Sequence, residues 1–272
     1  MKVIKNFKVL TLLGLAVFFM ACATVPLTGR RQASLVSETE MQQMASQSYR
    51  EFLNNPKTKV VNNTTQSRKV KEIGARIQSA VVKYMNANGY GNQIAGYQWE
   101  YNLIESGDVN AWCMPGGKVA VYTGILPVTQ TDAGLATVMG HEIAHAIARH
   151  SSERYSNAML AQGLGALAGA AVTKTEAGAN VFQQVFGIGA QAGVLLPNSR
   201  KQESEADRLG LIFMAMAGYN PTTAVDFWQR MASQKNGQSP PEFLSTHPSD
   251  ATRIADIKKY LPEAQKYYTV KR

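Results

Sequence analysis

The sequence predicts an α+β fold that is mostly α-helical, with a small antiparallel sheet preceding a central helix. Three observations indicate this fold. Apolar residues recur at helical spacing over several long segments. Three short runs rich in aromatic and β-branched residues lie close together between residues 97 and 123. The helix predicted over about 132–150 is apolar on two sides, as expected for an element at the centre of a domain.

Residues 1–21 are predicted to be a secretory signal peptide, because a lysine-containing start precedes an apolar run too short to span a membrane comfortably. The end of this segment, Phe19-Met20-Ala21-Cys22, resembles a bacterial lipobox, in which the cysteine is lipidated. Phe19 departs from the usual leucine. The alternative is an ordinary cleaved signal with an incidental cysteine.

The residue after Cys22 is Ala23 rather than aspartate, which resembles an outer-membrane address of proteobacterial lipoproteins. We therefore expect a lipid anchor on Cys22 that attaches the protein to a membrane. The expected location is the outer membrane of a Gram-negative bacterium, facing the periplasm. Outer-membrane assembly factors are expected as further partners.

Residues 22–36 are expected to form a lipidated polar tether, followed by one domain over residues 37–265, since no repeat or low-complexity linker divides the chain. A capping box at Ser37 predicts a helix to about Leu53. Apolar spacing predicts a second helix over about 66–88. Runs over 97–104, 110–114 and 118–123 predict three strands, and a Pro-Gly-Gly turn joins the last two.

The central helix contains the sequence His141-Glu142-Ile143-Ala144-His145. Positions i and i+4 of an α-helix share a face, so both imidazoles can bind one Zn²⁺ while Glu142 holds a water. This H-E-x-x-H pattern is typical of zinc proteases and predicts a zincin-type catalytic domain. The alternative is an amphipathic helix with two buried structural histidines. His150 is predicted to point away from the two ligands.

Two apolar stretches follow, over about 158–172 and 181–196. Two closely packed helices are the simplest interpretation, whereas a mobile lid or a membrane-contacting surface over 156–197 is the alternative. Three more helices are predicted: one over about 199–217 with Asn198 as its cap, one from Asn220-Pro221 to about Lys235, and one over about 249–260.

A catalytic zinc needs three protein ligands and one open position. In the helix over 199–217, Glu203 and Asp207 share a face with uncharged residues, whereas Glu205 points the other way with Lys201 and Arg208. The uncharged residues on that face are Ala206, Gly210 and Met214. We therefore predict Glu203 as the third ligand and Asp207 as the residue that orients a ligand imidazole. One zinc per chain is expected, and Glu205 is expected to be dispensable.

The charge distribution and the cysteine content exclude some classes of function. The formal charge of +9 is spread along the chain rather than clustered, so the basic patch that nucleic-acid binding requires is missing. Two cysteines are present, and acylated Cys22 cannot pair with Cys113. Cys113 is then a small buried hydrophobic residue rather than a nucleophile.

The chain resembles the HtpX-like and CAAX-prenyl-protease-like zinc metalloproteases, metallopeptidase family 48. The resemblance covers most of residues 30–260. Gly134 departs from the family pattern, which often has glutamate there, and weakens the start of the helix. Four motifs in order carry the resemblance: Asn110-Ala111 with Pro115-Gly116-Gly117, the H-E-x-x-H sequence, Glu203-Ser204-Glu205-Ala206-Asp207, and Ser245-Thr246-His247-Pro248 with Arg253.

The resemblance implies that Asn110, Ala111 and Trp112 form an edge strand that holds an extended peptide by backbone pairing. The alternative is an ordinary internal strand. It also implies that misfolded or misassembled envelope proteins are the substrates, in protein quality control.

His247 precedes a proline, which restricts it to an extended backbone in a loop. Three roles are open for it. Its imidazole could occupy the fourth zinc position and inhibit the resting enzyme, it could donate a hydrogen bond to the oxyanion during catalysis, or it could only cap the following helix.

The sequence therefore predicts a zinc-dependent metalloendopeptidase that acts on proteins or peptides. Zn²⁺ bound by His141, His145 and Glu203 would polarise water, and Glu142 would transfer its proton to the leaving amine. The alternative is a chaperone or assembly factor that binds unfolded envelope proteins without cleaving them. The presence of Glu142 favours the enzyme, because a binding protein has no use for a general base.

Overall fold

A computed structural model describes residues 22–163, 175–186, 198–234, 242–247 and 251–269. It confirms the predicted class, a mostly helical α+β fold with small sheets. The predicted signal peptide and parts of the predicted lid or membrane-contacting surface lie outside the described residues. In the part of the chain that the structure describes, no helix is both long and apolar enough to cross a membrane.

The elements run along the chain in the following order: β1 (Cys22–Thr24), β2 (Arg31–Ala33), α1 (Glu38–Asn54), β3 (Val60–Val61), α2 (Thr65–Ala87), β4 (Glu100–Ile104), β5 (Ala111–Met114), β6 (Lys118–Tyr122), α3 (Leu126–Thr129), α4 (Asp132–Ile147), α5 (His150–Ala161), α6 (Glu176–Phe186), α7 (Arg200–Met216), α8 (Thr223–Ser233), α9 (Glu242–Thr246) and α10 (Ala251–Gln265).

Of the two helix caps predicted from the sequence, the one at Ser37 is observed and the one at Asn198 is not. Ser37 and Glu40 form the capping box that starts α1, and Thr64 caps α2. Helix α7 differs, because Ser199 rather than Asn198 is its N-cap and forms a capping box with Gln202. Each box satisfies backbone N–H groups that would otherwise have no partner at the first turn.

The larger sheet has the strand order β3-β4-β6-β5 and is mixed rather than purely antiparallel. Strands β5 and β6 pair as an antiparallel hairpin, whereas β4 and β6 are parallel. The difference arises because the hairpin returns β6 to a place between β4 and β5. Strand β5 therefore lies at the edge of the sheet, and among the described residues no strand pairs with its outer side.

Residues 22–36, predicted as a tether, fold onto the domain in this structure. Strands β1 and β2 pair antiparallel and form the N-terminal hairpin, residues 22–33. Val25, Leu35 and Val36 are buried. Whether the segment also carries a lipid on Cys22 stays a prediction.

Helix α4 lies at the centre of the domain, and every residue from Gly134 to Ile147 is buried. It packs against α7, α2 and β5. The helix ends at Ile147, three residues earlier than predicted, because Arg149 adopts a left-handed conformation with φ of 58°. That residue redirects the chain, so His150 begins the next helix instead of extending α4.

Two glycines allow α4 and α7 to approach each other closely. A Cβ atom added to Gly210 would lie 2.9 Å from the backbone nitrogen of His141 and 3.0 Å from the carbonyl carbon of Gly140. A Cβ atom added to Gly140 would lie 2.9 Å from the carbonyl oxygen of Gly210. Since these neighbours are backbone atoms, any side chain here would push the helices apart.

We expect Gly210→Ala to lower the free energy of unfolding by about 1–3 kcal/mol, the usual cost of overpacking a core. The better helix propensity of alanine, worth up to about 1 kcal/mol, offsets only part of that cost. Chemical denaturation measures the change.

Gly107→Ala is the matched control, because no atom lies within 4 Å of its added Cβ. We expect its stability to stay within about 0.5 kcal/mol of the parent chain, as for most exposed sites. Equal stability of the Gly210→Ala and Gly107→Ala variants would contradict the packing argument.

Candidate metal centre

Two helices and the residue that follows a third bring four potential ligands together. Helix α4 presents His141 and His145 one turn apart, α7 presents Glu203 in its first turn, and His247 follows α9. One atom from each of the four residues lies within 4.8 Å of the others. All four side chains are buried.

The distances between the donor atoms match the edges of a tetrahedron around one metal ion. His141 Nε2 lies 3.0 Å from His145 Nε2 and 3.2 Å from His247 Nδ1. Glu203 Oε1 lies 3.2 Å from His145 Nε2 and 2.9 Å from His247 Nδ1. Ligands about 2.0–2.2 Å from a tetrahedral Zn²⁺ are separated from each other by about 3.3 Å. The residues present therefore fit a tetrahedral metal ion.

The chemistry of the donors supports the same conclusion. Burial lowers the pKa of His145 well below its ordinary value, so its imidazole is neutral and has a lone pair on one nitrogen. Burial opposes ionisation of Glu203, but His247 and Arg253 outweigh it and hold its pKa well below its ordinary value. A neutral imidazole and a carboxylate facing one point are what a divalent cation requires.

Asp207 lies directly behind His141. Its Oδ1 atom lies 2.9 Å from His141 Nδ1, on the side of the ring opposite the candidate metal position. A carboxylate accepts a hydrogen bond from Nδ1–H, which leaves the lone pair of Nε2 free for a metal. The structure thus places Asp207 where the sequence predicted a residue that orients a ligand imidazole.

Arg253 holds the two carboxylates of α7 in place. Its guanidinium donates to both oxygens of Asp207 at 2.8 Å and lies 2.7 Å from Glu203 Oε2. The guanidinium also lies over the Trp228 ring, 3.4 Å from its centroid. From the sequence, Arg253 is predicted only as part of the family resemblance. In the sequence, the negative charge of the Glu203–Asp207 pair was the available indication that a cationic side chain faces these two carboxylates.

Glu142 projects from α4 next to the ligands but is not one of them. Burial raises the pKa of its carboxyl to about 7. Its Oε1 atom has no hydrogen bond among the described residues, and His247 Nε2 lies 3.6 Å away. A buried carboxylate oxygen without a hydrogen bond is costly unless a reactant uses it.

The predicted substrate-binding residues lie at or beside the edge strand β5. Asn110 accepts a hydrogen bond from the backbone N–H of Ala111 through its side-chain oxygen, at 2.8 Å. The Trp112 side chain packs edge-on against Tyr49 and Phe52, so it contacts α1 rather than the histidines. Strand β5 also packs against α4.

Two residues differ from their predicted placement. His150 does not point away from the ligands, because its Nδ1 atom lies 2.7 Å from Nδ1 of His145. Glu205 does not face solvent, because it lies 2.9 Å from His150 Nε2. The helical pattern failed here because the left-handed Arg149 ends α4 before His150, and because the N-terminal hairpin covers Glu205.

The chain is similar to known proteins. The model of Peptidase family M48 matches residues 72–261 of the chain. The Schizosaccharomyces pombe protein named mitochondrial metalloendopeptidase OMA1 is 34% identical over 249 residues, which are 91% of this chain and 69% of that protein. The Saccharomyces cerevisiae protein of the same name is 34% identical over 207 residues, 74% of this chain and 57% of that protein.

A bacterial relative matches a shorter part of the chain. The Vibrio cholerae protein named putative beta-barrel assembly-enhancing protease is 33% identical over 167 residues, which are 58% of this chain and 33% of that protein. The chain thus spans between a third and about seven-tenths of the length of these three relatives.

These comparisons contradict the predicted location in a Gram-negative outer membrane. Relatives from fungi, a plant and vertebrates are all named as mitochondrial proteins, and the fungal ones match more of this chain than the bacterial ones do. The prediction used Phe19-Met20-Ala21-Cys22 and Ala23, a local pattern outside the residues that the family model matches. The helices and potential ligands of the candidate metal centre do not indicate a cellular compartment.

We expect Glu203→Ala to abolish stoichiometric metal binding, because it removes one ligand and leaves Arg253 without one of its carboxylate partners. The wild-type chain should bind one zinc ion. Metal analysis after gel filtration and zinc titration calorimetry measure both.

Glu263→Ala on α10 is the matched control, because it removes a carboxylate paired with Arg208 at the surface. It should bind zinc as the wild type does. Full zinc binding by Glu203→Ala would contradict its assignment as a ligand.

Proposed function

Because this chain belongs to peptidase family M48, we propose that it is a zinc-dependent endopeptidase that hydrolyses peptide bonds in proteins. The observation that carries the proposal is the convergence of His141, His145 and Glu203 on one point with the carboxylate of Glu142 beside it. Three ligands of this type form the hydrolytic His₂Glu site of zinc peptidases.

Two of the three ligands are held by different side chains. Asp207 holds the ring of His141, and Arg253 holds the carboxylate of Glu203. A bound zinc ion supplies a Lewis acid and lowers the pKa of water. Fixed ligand orientations keep that chemistry next to Glu142.

Glu142 acts as the general base and then as the general acid. Its carboxylate accepts a proton from the attacking water and delivers that proton to the amine that leaves. The burial that raises its pKa makes it a stronger base than a carboxylate at the surface. The oxygen without a hydrogen bond partner is suited to this exchange.

His247 acts as an inhibitory fourth ligand in the resting enzyme. This role is supported by Nδ1 of His247, which lies within 3.2 Å of donor atoms of both His141 and Glu203. In that position the imidazole excludes the water that Glu142 needs. Movement of the His247 side chain away from the other ligands would then release the site, and His247 could donate to the oxyanion from a displaced position.

The edge strand β5 binds the substrate as an extended chain. In the pairing with β6, the backbone N–H of Tyr122 donates to the carbonyl of Asn110. Alternation along an antiparallel strand then directs the peptide groups of Ala111 and Cys113 toward the open edge. Extended segments occur where proteins are unfolded, so misfolded or misassembled proteins are the proposed substrates.

The alternative function is a chaperone or assembly factor that uses the same edge without cleavage. Glu142 distinguishes the two, because a binding protein needs no buried base. Acylation of Cys22, membrane attachment and assembly partners stay predictions.

We expect Glu142→Gln to bind zinc with wild-type affinity but to lose cleavage of casein by at least about 10²-fold, the typical contribution of a general base. A chelator should abolish wild-type cleavage, and added zinc should restore it. Undiminished cleavage by Glu142→Gln would exclude Glu142 from the mechanism.

The same inactive variant separates the two functions. If it restores growth of a deletion strain as well as the wild type does, the chaperone function is favoured. Amide hydrogen exchange of its complex with an unfolded peptide also tests the edge strand. Slower exchange at Cys113 supports backbone pairing, and unchanged exchange along β5 excludes it.

For His247, we expect His247→Ala to cleave casein several-fold faster than the wild type, because the fourth position is no longer blocked. His247→Cys should stay inhibited, because a thiolate also binds zinc. Slower turnover of His247→Ala with zinc still bound would instead assign a catalytic role. Wild-type rates in both variants would leave only a structural role.

A further inference from the structure

A chain of buried polar groups lies behind His145, on the side of the ring opposite the candidate metal position. His145 Nδ1 lies 2.7 Å from His150 Nδ1, and His150 Nε2 lies 2.9 Å from Glu205 Oε2. His150 is fully buried, and Glu205 is 9% exposed. The mechanism above uses neither His150 nor Glu205.

The N-terminal hairpin completes this chain. Arg30 donates from Nε to Glu205 Oε2 at 2.8 Å, and Thr28 donates to the other oxygen of Glu205. The two terminal nitrogens of Arg30 form a bidentate pair with Glu153 at 2.8 Å. Glu205 is therefore held from both sides, by the hairpin and by His150.

The hydrogen bonds determine which nitrogen of each ring carries the proton. Glu205 pairs with the guanidinium of Arg30 as a carboxylate, and a carboxylate can only accept, so Nε2 of His150 donates to Glu205. A neutral His150 then has its lone pair on Nδ1 and must accept from Nδ1–H of His145. That leaves the lone pair of His145 on Nε2, the atom that lies 3.2 Å from Glu203 Oε1.

The two ligand histidines are thus oriented by different means. His141 donates directly to the carboxylate of Asp207. His145 reaches a carboxylate only through a second imidazole. In both cases a carboxylate on α7 fixes the ring of a ligand on α4, because Asp207 and Glu205 lie on the same helix.

We propose that His150 and Glu205 are positioning residues that fix His145 as the Nδ1–H tautomer, with Nε2 directed at the metal. The proposal rests on the proposed metal site, and it adds the N-terminal hairpin to that site through Arg30. Residues in this position typically change metal affinity by 10–100-fold.

The principal test compares His150→Met with His150→Gln. Methionine fills similar space, but its thioether sulfur accepts only weakly from His145 and cannot donate to Glu205. A glutamine amide can do both, through its oxygen and its NH₂ group. We expect about 10–100-fold weaker zinc binding in His150→Met, measured by chelator competition. His150→Gln should recover most of that loss.

A spectroscopic readout separates orientation of the ring from general stability. In the metal-free wild type, ¹⁵N histidine NMR should show His145 as the Nδ1–H tautomer, and His150→Met should show a mixture. The absorption bands of the Co²⁺-loaded protein should shift in His150→Met and return in His150→Gln. A loss of packing alone would lower the melting temperature without these changes.

Three more variants complete the set. Glu205→Ala should also weaken zinc binding, and the double variant with His150→Met should bind no more weakly than His150→Met alone, because the residues act in series. Glu153→Gln is the matched control, since it loses a partner of Arg30 but leaves the path from Glu205 to His145 intact. It should bind zinc within about twofold of the wild type.

Zinc affinity within twofold of the wild type in both His150→Met and Glu205→Ala, with an unchanged tautomer of His145, would overturn the proposal. If His150→Met does not fold, Glu205→Ala carries the test alone. None of these readouts uses peptide cleavage. An inactive but zinc-binding wild type would therefore contradict the proposed function and leave this inference testable.

Discussion

The close contact between α4 and α7 is the constraint on which the rest of the structure depends. Gly140 and Gly210 let the two backbones meet without a side chain between them. This contact lies one residue from His141 and two turns from Glu203, so the helix separation sets the distance between the ligands. A carboxylate must reach a metal within a few tenths of an ångström. Close helix packing supplies that precision better than a loop could.

The buried charges depend on the same contact. Glu142, Glu203 and Asp207 are each 3–4% exposed, and such groups are costly in an interior unless they are paired. Arg253 pairs with Glu203 and Asp207, and Asp207 also accepts from His141. Oε1 of Glu142 lacks a hydrogen bond among the described residues, and so does Oε2 of Glu203, which lies 2.7 Å from Arg253. Glu203 is thus held by a guanidinium, whereas the oxygen of Glu142 is available to accept a proton, as general-base catalysis requires.

Local signals allowed much of this to be predicted from the sequence. Helical periodicity and capping boxes placed α1, α2 and α4 within a few residues, because both depend on neighbours in the chain. The i, i+4 spacing identified His141 and His145 for the same reason. The parallel pairing of β4 with β6 and the burial of Glu205 could not be predicted, since each depends on a segment far away in the chain. The left-handed conformation of Arg149 gave no signal, because arginine rarely adopts it.

Gly134 shows how a departure from a family pattern can be explained by structure. From the sequence, this glycine only weakens the start of α4. In the structure, Thr131 caps the helix by accepting from the Gly134 backbone N–H, and a Cβ atom added there would lie 2.1 Å from the carbonyl oxygen of Thr129. The turn before α4 therefore lies too close to Gly134 to leave room for a side chain at this position. A larger residue would displace that turn, and with it the helix start. Since α4 carries two ligands and the general base, the glycine preserves the position of the site at some cost to the helix.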